Sequence, residues 1–124
     1  MKKTLAILLV ILSLLTLLSG CRRSVLNIDS SESMITVTME NTAKDAYGFG
    51  TITFKEGQKM EIRVSLQKSI PIRIEVHPAE GGAPVFQSIF YDGEGGTFDV
   101  PAGDYNVRFG PVKGATGTMT IKAS

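Results

Sequence analysis

The chain has 124 residues, with 13 Lys/Arg against 12 Asp/Glu and a formal charge of +1. That balance excludes the clustered basic field by which proteins hold nucleic acid phosphates. With one His, one Cys and no Trp, it also excludes a zinc site built from several His or Cys ligands.

The N-terminus has the three parts of a secretory signal. Lys2 and Lys3 are followed by an apolar run from Leu5 to Leu18, then by small residues ahead of Cys21. The run is fourteen residues, interrupted only by Ser13 and Thr16, whereas a membrane-spanning helix needs about 20. Leu18-Ser19-Gly20-Cys21 resembles the lipobox of bacterial lipoproteins. That resemblance implies S-diacylglycerol and N-acyl groups (a palmitate-type anchor) on Cys21, cleavage before it, and a place on the extracytoplasmic side of a cell membrane or outer membrane. Removal of residues 1–20 takes away Lys2 and Lys3, leaving eleven basic residues against 12 acidic ones and a formal charge of −1. With its only cysteine blocked by lipid, the mature chain has no disulfide to rest on.

Residues 21–33 are polar apart from Val25, Leu26 and Ile28, the composition of a flexible, lipidated tether. Arg22 and Arg23 either add about 1 kcal/mol each to binding an anionic membrane surface or only solubilise the tether.

From Met34 to the end, the period is two. Ile35, Val37 and Met39 alternate with Thr36, Thr38 and Glu40; Met60, Ile62, Val64 and Leu66 with Glu61, Arg63, Ser65 and Gln67; Ile70, Ile72, Ile74 and Val76 with Pro71, Arg73, Glu75 and His77. Alternation of this kind gives each strand one buried and one wet face. Ser69 lies at a short link, and Pro71 belongs at a strand start or edge. Around Gly48 and Gly50 the apolar phase shifts between Phe49 and the pair Ile52 and Phe54, which predicts a bulge. Val85 to Tyr91 is apolar on both phases and predicts a more buried strand. Phe98 and Val100, Tyr105 to Phe109, and Met119 with Ile121 complete about seven to eight strands, punctuated by Gly- and Pro-rich turns. The expected fold is all-β, an antiparallel β-sandwich or jelly roll over residues 34–124. Val100-Pro101-Ala102-Gly103-Asp104-Tyr105-Asn106-Val107 resembles the hairpin of many bacterial secreted β-sandwich modules, pre-peptidase-type C-terminal domains among them. That resemblance concerns turn mechanics and implies no site.

Catalytic chemistry is sparse. Cys21 is consumed by lipid, His77 is the single imidazole, and neither a nucleophile elbow nor a P-loop is present. The weak metal candidates are Asp92, Glu94 and Asp99 in a glycine-rich stretch. Their spacing departs from the EF-hand and lacks the closing bidentate Glu, so a plain turn is the simpler reading. Tyr47, Phe49 and Tyr91 are candidates for an exposed binding face, with core packing the simpler reading for most of them. The expected function is a non-enzymatic, lipid-anchored extracytoplasmic module that binds an envelope protein or polymer, with no cofactor and no nucleic acid. The alternative is a structural or accessory lipoprotein of an envelope complex without a small ligand.

Overall fold

The computed structural model describes residues 24–43 and 45–124; the signal segment and Cys21 lie outside them. It contains nine strands: β1 (Val25–Ser30), β2 (Met34–Glu40), β3 (Gly48–Phe54), β4 (Lys59–Leu66), β5 (Ile72–Pro78), β6 (Phe86–Phe90), β7 (Gly95–Asp99), β8 (Gly103–Phe109) and β9 (Gly117–Ala123). A five-stranded sheet runs in the order β1-β2-β9-β4-β7, and a four-stranded sheet in the order β3-β8-β5-β6. Every pairing is antiparallel. The chain is an all-β antiparallel sandwich.

The alternating runs meet between the two sheets. Ile35, Val37, Met60, Ile62, Ile72, Ile74, Val76, Val107, Phe109, Met119 and Ile121 are fully buried. Their partners in sequence, such as Thr38, Arg63, Arg73 and Arg108, are exposed. At roughly 1.5–3 kcal/mol per fully buried aliphatic side chain, this layer is the chief source of stability.

Four expectations change. The segment expected as a tether over residues 21–33 contributes β1, in which Leu26 and Ile28 pack against the core and Ile28 stands opposite Val37. Two apolar residues at period two suffice when a neighbouring edge is open to receive them. Ser30 then ties the two layers: its Oγ donates to the Thr51 carbonyl and accepts from the Thr51 amide, at 2.9 and 3.0 Å.

No bulge interrupts β3, whose register with β8 is continuous from Gly48–Phe109 to Phe54–Gly103. Gly48 and Gly50 occupy the core phase themselves. A methyl at Gly48 would collide with the Phe109 ring, and one at Gly50 would lie 2.9 Å from Ile35 Cδ1. The glycines leave room for large neighbours, and that places Phe49 outside.

The strand expected to be more buried, Val85–Tyr91, is the edge strand β6. Phe86 and Phe90 face inward and meet Phe98 at centroid distances of 4.7 and 6.0 Å. Val85, Ile89 and Tyr91 face out, because among the described residues no further layer covers this sheet.

Finally, the expected hairpin Val100–Val107 is an arch between sheets, since β7 belongs to one sheet and β8 to the other. Tyr105, buried in the core, donates its hydroxyl to the Pro101 carbonyl at 2.6 Å and pins the arch. The link at Ser69 also crosses between sheets, and Pro71 directly precedes β5 as its chemistry requires.

Candidate functional site

The three acidic candidates do not converge. Asp92 Oδ1 accepts the Leu66 amide at 2.8 Å, and Glu94 Oε1 accepts the Tyr91 amide at 2.7 Å. Asp99, fully in solvent, sits 3.7 Å from Lys59 Nζ. Among the described residues no group of three or more His, Cys, Asp or Glu is placed to hold one metal ion. Five of the eight residues from Asp92 to Asp99 lie in β7, paired with β4. The carboxylates serve a crossing between sheets, where backbone amides that leave one sheet need acceptors.

Two open clefts lie on the outer faces. The larger, about 720 Å³, runs over β9, β4 and β7 and is lined by Gly93 to Thr97, Ser65, Thr118, Thr120, Glu61 and Arg63. Of its three charged side chains, Arg63 and Glu61 satisfy each other, with Arg63 Nε and one terminal nitrogen at 2.8 and 2.7 Å from Glu61 Oε1, and Glu94 accepts the Tyr91 amide. The rest is hydroxyl and glycine together with Ile62 and Val64, and no aromatic side chain lines it. Threonines opposite one another, Thr36–Thr120 and Thr38–Thr118, are ordinary stabilising cross-strand pairs.

The second cleft, about 390 Å³, lies on the four-stranded sheet and has a different character. It is lined by Phe49, Gly50 and Thr51 of β3, Asn106, Val107 and Arg108 of β8, and His77 of β5. The register explains this grouping. Phe49 stands opposite Arg108, and Arg108 opposite Glu75; Thr51 stands opposite Asn106, and Asn106 opposite His77. Two transverse rows thus combine an apolar ring with hydrogen-bonding and charged side chains.

Phe49 is 65% exposed. Beside it, the Arg108 guanidinium lies 4.5 Å from the centroid of the Tyr47 ring, a cation–π contact that orients the fork without using its N–H donors. Tyr47 is held by the segment before β3. Thr42, a buried polar residue there, donates its hydroxyl to the Val112 carbonyl and accepts the Ala115 amide at 2.8 Å. Gly110 completes the support: a Cβ at that position would lie 2.8 Å from the Ala46 carbonyl oxygen and 2.9 Å from Tyr47 Cδ1.

In the middle of the sheet, half-buried Glu75 sits 4.0 Å from both Arg73 Nε and His77 Nε2. The His77 Nδ1 is 3.5 Å from the Gly82 carbonyl oxygen. Of the aromatic candidates named from sequence, Tyr47 and Phe49 come together at this cleft, while Tyr91 lies beyond the far edge after β6. Arg108 and Asn106 were not singled out from sequence. The signal available was their polar phase in Tyr105–Phe109, but register with Phe49 and His77 is a property of the sheet.

No family model matches the chain, and no curated protein matches it. Two solved structures are similar in course. One is described as "CBM4 structure and function", at 10% identity and a TM-score of 0.43, covering 82% of this chain and 76% of that one. The other is a Drosophila melanogaster CENP-C cupin domain, at 11% identity and a TM-score of 0.38, covering 84% of this chain and 81% of that one.

Proposed function

We propose that this chain is a non-enzymatic binding module, anchored by lipid at Cys21 on the extracytoplasmic side of a bacterial cell membrane or outer membrane. Its ligand is a polymer of the cell envelope, lying across the cleft formed by β3, β8 and β5. One observation carries the binding face: Phe49 is set outward at full stretch beside Arg108, Asn106 and His77. Ligand clefts are typically apolar with a few placed polar groups, and this lining has that mixture. An exposed ring excludes water from one face of a bound chain, while guanidinium, amide and imidazole supply hydrogen bonds to its hydroxyl or carboxylate groups. The anchor rests on the signal-like N-terminus and Leu18-Ser19-Gly20-Cys21. The non-enzymatic reading is supported by a chain with one imidazole and no nucleophile elbow.

Two measurements test the two halves. For the face, the full chain in detergent is co-sedimented with insoluble cell-wall polymer purified from the host. Phe49→Ala and Arg108→Ala should each weaken retention roughly tenfold or more, about 1.4 kcal/mol. Equal retention of both variants and the parent would sink the cleft, and absence of any retention would favour the accessory-lipoprotein alternative. For the anchor, Cys21→Ser should shift the protein from the detergent phase to the aqueous phase on partitioning. An unchanged partition rules out lipid at Cys21.

A further inference from the structure

Strand edges are the places where a sandwich can accept another chain, and natural sheets guard them with charge, glycine, proline or a covering segment. Three of the four edges here are guarded. β1 carries Asp29. β3 is capped along its outer side by Ser30, which bonds Thr51, and by the Glu32 carbonyl, which accepts the Thr53 amide at 2.8 Å. β7 opens on Gly95-Gly96 and ends on Asp99, which pairs with Lys59. The fourth edge is β6. Val85-Phe86-Gln87-Ser88-Ile89-Phe90-Tyr91 contains no charged residue, glycine or proline. Among the described residues its sheet partner is β5 alone. The Tyr91 amide and carbonyl are taken by Glu94 Oε1 and the Glu94 amide, so the unpaired N–H and C=O groups on the side away from β5 lie before Tyr91. On the outer face the same strand displays Val85, Ile89 and Tyr91, 42%, 54% and 44% exposed.

We infer that β6 pairs antiparallel with β6 of a second copy of this chain, joining two four-stranded sheets into one continuous sheet. The sequence of the strand is self-complementary about Ser88. A two-fold axis there sets Ser88 against Ser88, Gln87 against Ile89, Phe86 against Phe90 and Val85 against Tyr91. Both inner phenylalanines remain on the core face, Val85 and Tyr91 of opposite copies meet across the axis, and Ile89 packs against Gln87 of the second copy. No like charges are brought opposite one another, which is the usual barrier to such pairing. An isologous two-fold contact closes on itself and stops at the dimer. A strand-edge contact buries less than the ~800 Å² per partner of a standard soluble complex, so the dimer depends on protein concentration. The cleft residues Phe49, His77 and Arg108 are not on β6, so pairing leaves each cleft open and sets two of them on one sheet.

The test uses the full chain in detergent micelles. Partners across an antiparallel pair have Cα atoms about 4.5–5.5 Å apart, within the range a disulfide bridges. With copper–phenanthroline as oxidant, Gln87→Cys/Ile89→Cys should form a disulfide-linked dimer. Either single variant and the parent should not, because a residue and its own mate are then diagonal neighbours. Sedimentation equilibrium should show a concentration-dependent dimer for the parent, weakened at least roughly tenfold by Ile89→Lys, since each dimer loses two covered isoleucines. Ile89 is already in solvent, so that variant folds, and unchanged circular dichroism checks it. Failure of the double-cysteine variant to cross-link, or a dimer indifferent to Ile89→Lys, overturns the pairing. Polymer co-sedimentation by a monomeric Ile89→Lys chain would show that the cleft reading survives on its own.

Discussion

At the scale of single residues, Gly48 and Tyr105 show how one side chain, or its absence, sets a whole face. Gly48 yields its volume to the Phe109 ring, so the phase of β3 cannot slip and Phe49 must point outward. Gly48→Ala is expected to destabilise the domain by about 1–3 kcal/mol through overpacking, measured as a fall in the denaturant midpoint. Tyr105 joins the core, where its ring meets Phe54 edge-on at 5.7 Å, to the arch at Pro101. Burial, and to a smaller extent the negative charge of Glu80, raise its pKa above the ordinary 10.0. The folded state therefore holds the phenolic proton more tightly than the unfolded chain does. The resulting stabilisation is complete below pH 10.0 and is lost as pH rises from there through the folded value. Tyr105→Phe should cost about 0.5–1.5 kcal/mol at neutral pH for the lost hydrogen bond. It should also flatten the alkaline fall in melting temperature, a difference that a purely structural defect would not produce.

At the scale of elements, the turn chemistry was legible while the partners of each strand were not. Asp92, Gly93 and Glu94 form a connection as expected, while Gly95-Gly96, expected as part of the turn, opens β7; the connection passes between sheets instead of closing a hairpin. Hence the carboxylates act as acceptors for Leu66 and Tyr91 amides. Asp92→Ala should lower stability by about 1–3 kcal/mol by leaving the Leu66 amide without its acceptor, whereas Asp92→Asn, which keeps a carbonyl oxygen, should cost much less. Millimolar Ca²⁺ should leave the melting temperature of the parent unchanged; a rise that is abolished in the Asp92→Asn/Glu94→Gln/Asp99→Asn variant would restore the metal site. β1 teaches a related lesson. Leu26 and Ile28 are too few to distinguish a strand from a tether by composition, and only the open edge of β2 makes them one.

At the scale of the whole molecule, the two sheets share a single apolar layer, and the difference between faces should be visible in energy. Ile74→Ala is expected to cost about 2–5 kcal/mol, against less than about 1 kcal/mol for its neighbour Glu75→Ala, whose ion pairs are long and partly exposed; urea titration of both variants checks this. The all-β class, the inward set Ile62, Val64, Ile72 and Ile74, and the sites of the turns followed from the sequence by itself. Alternation with period two is a local property, and each residue carries it whatever the strand pairs with. Which strands pair, which edge stays open and which side chains share a cleft were decided only by the tertiary structure. Phe49 lies next to Arg108, and Asn106 next to His77, through hydrogen-bonded register between segments distant in sequence. Register of that kind depends on how two complete faces fit, with Gly48 and Gly50 making space for Phe109 and Ile35. No window of the chain contains both halves of such a contact.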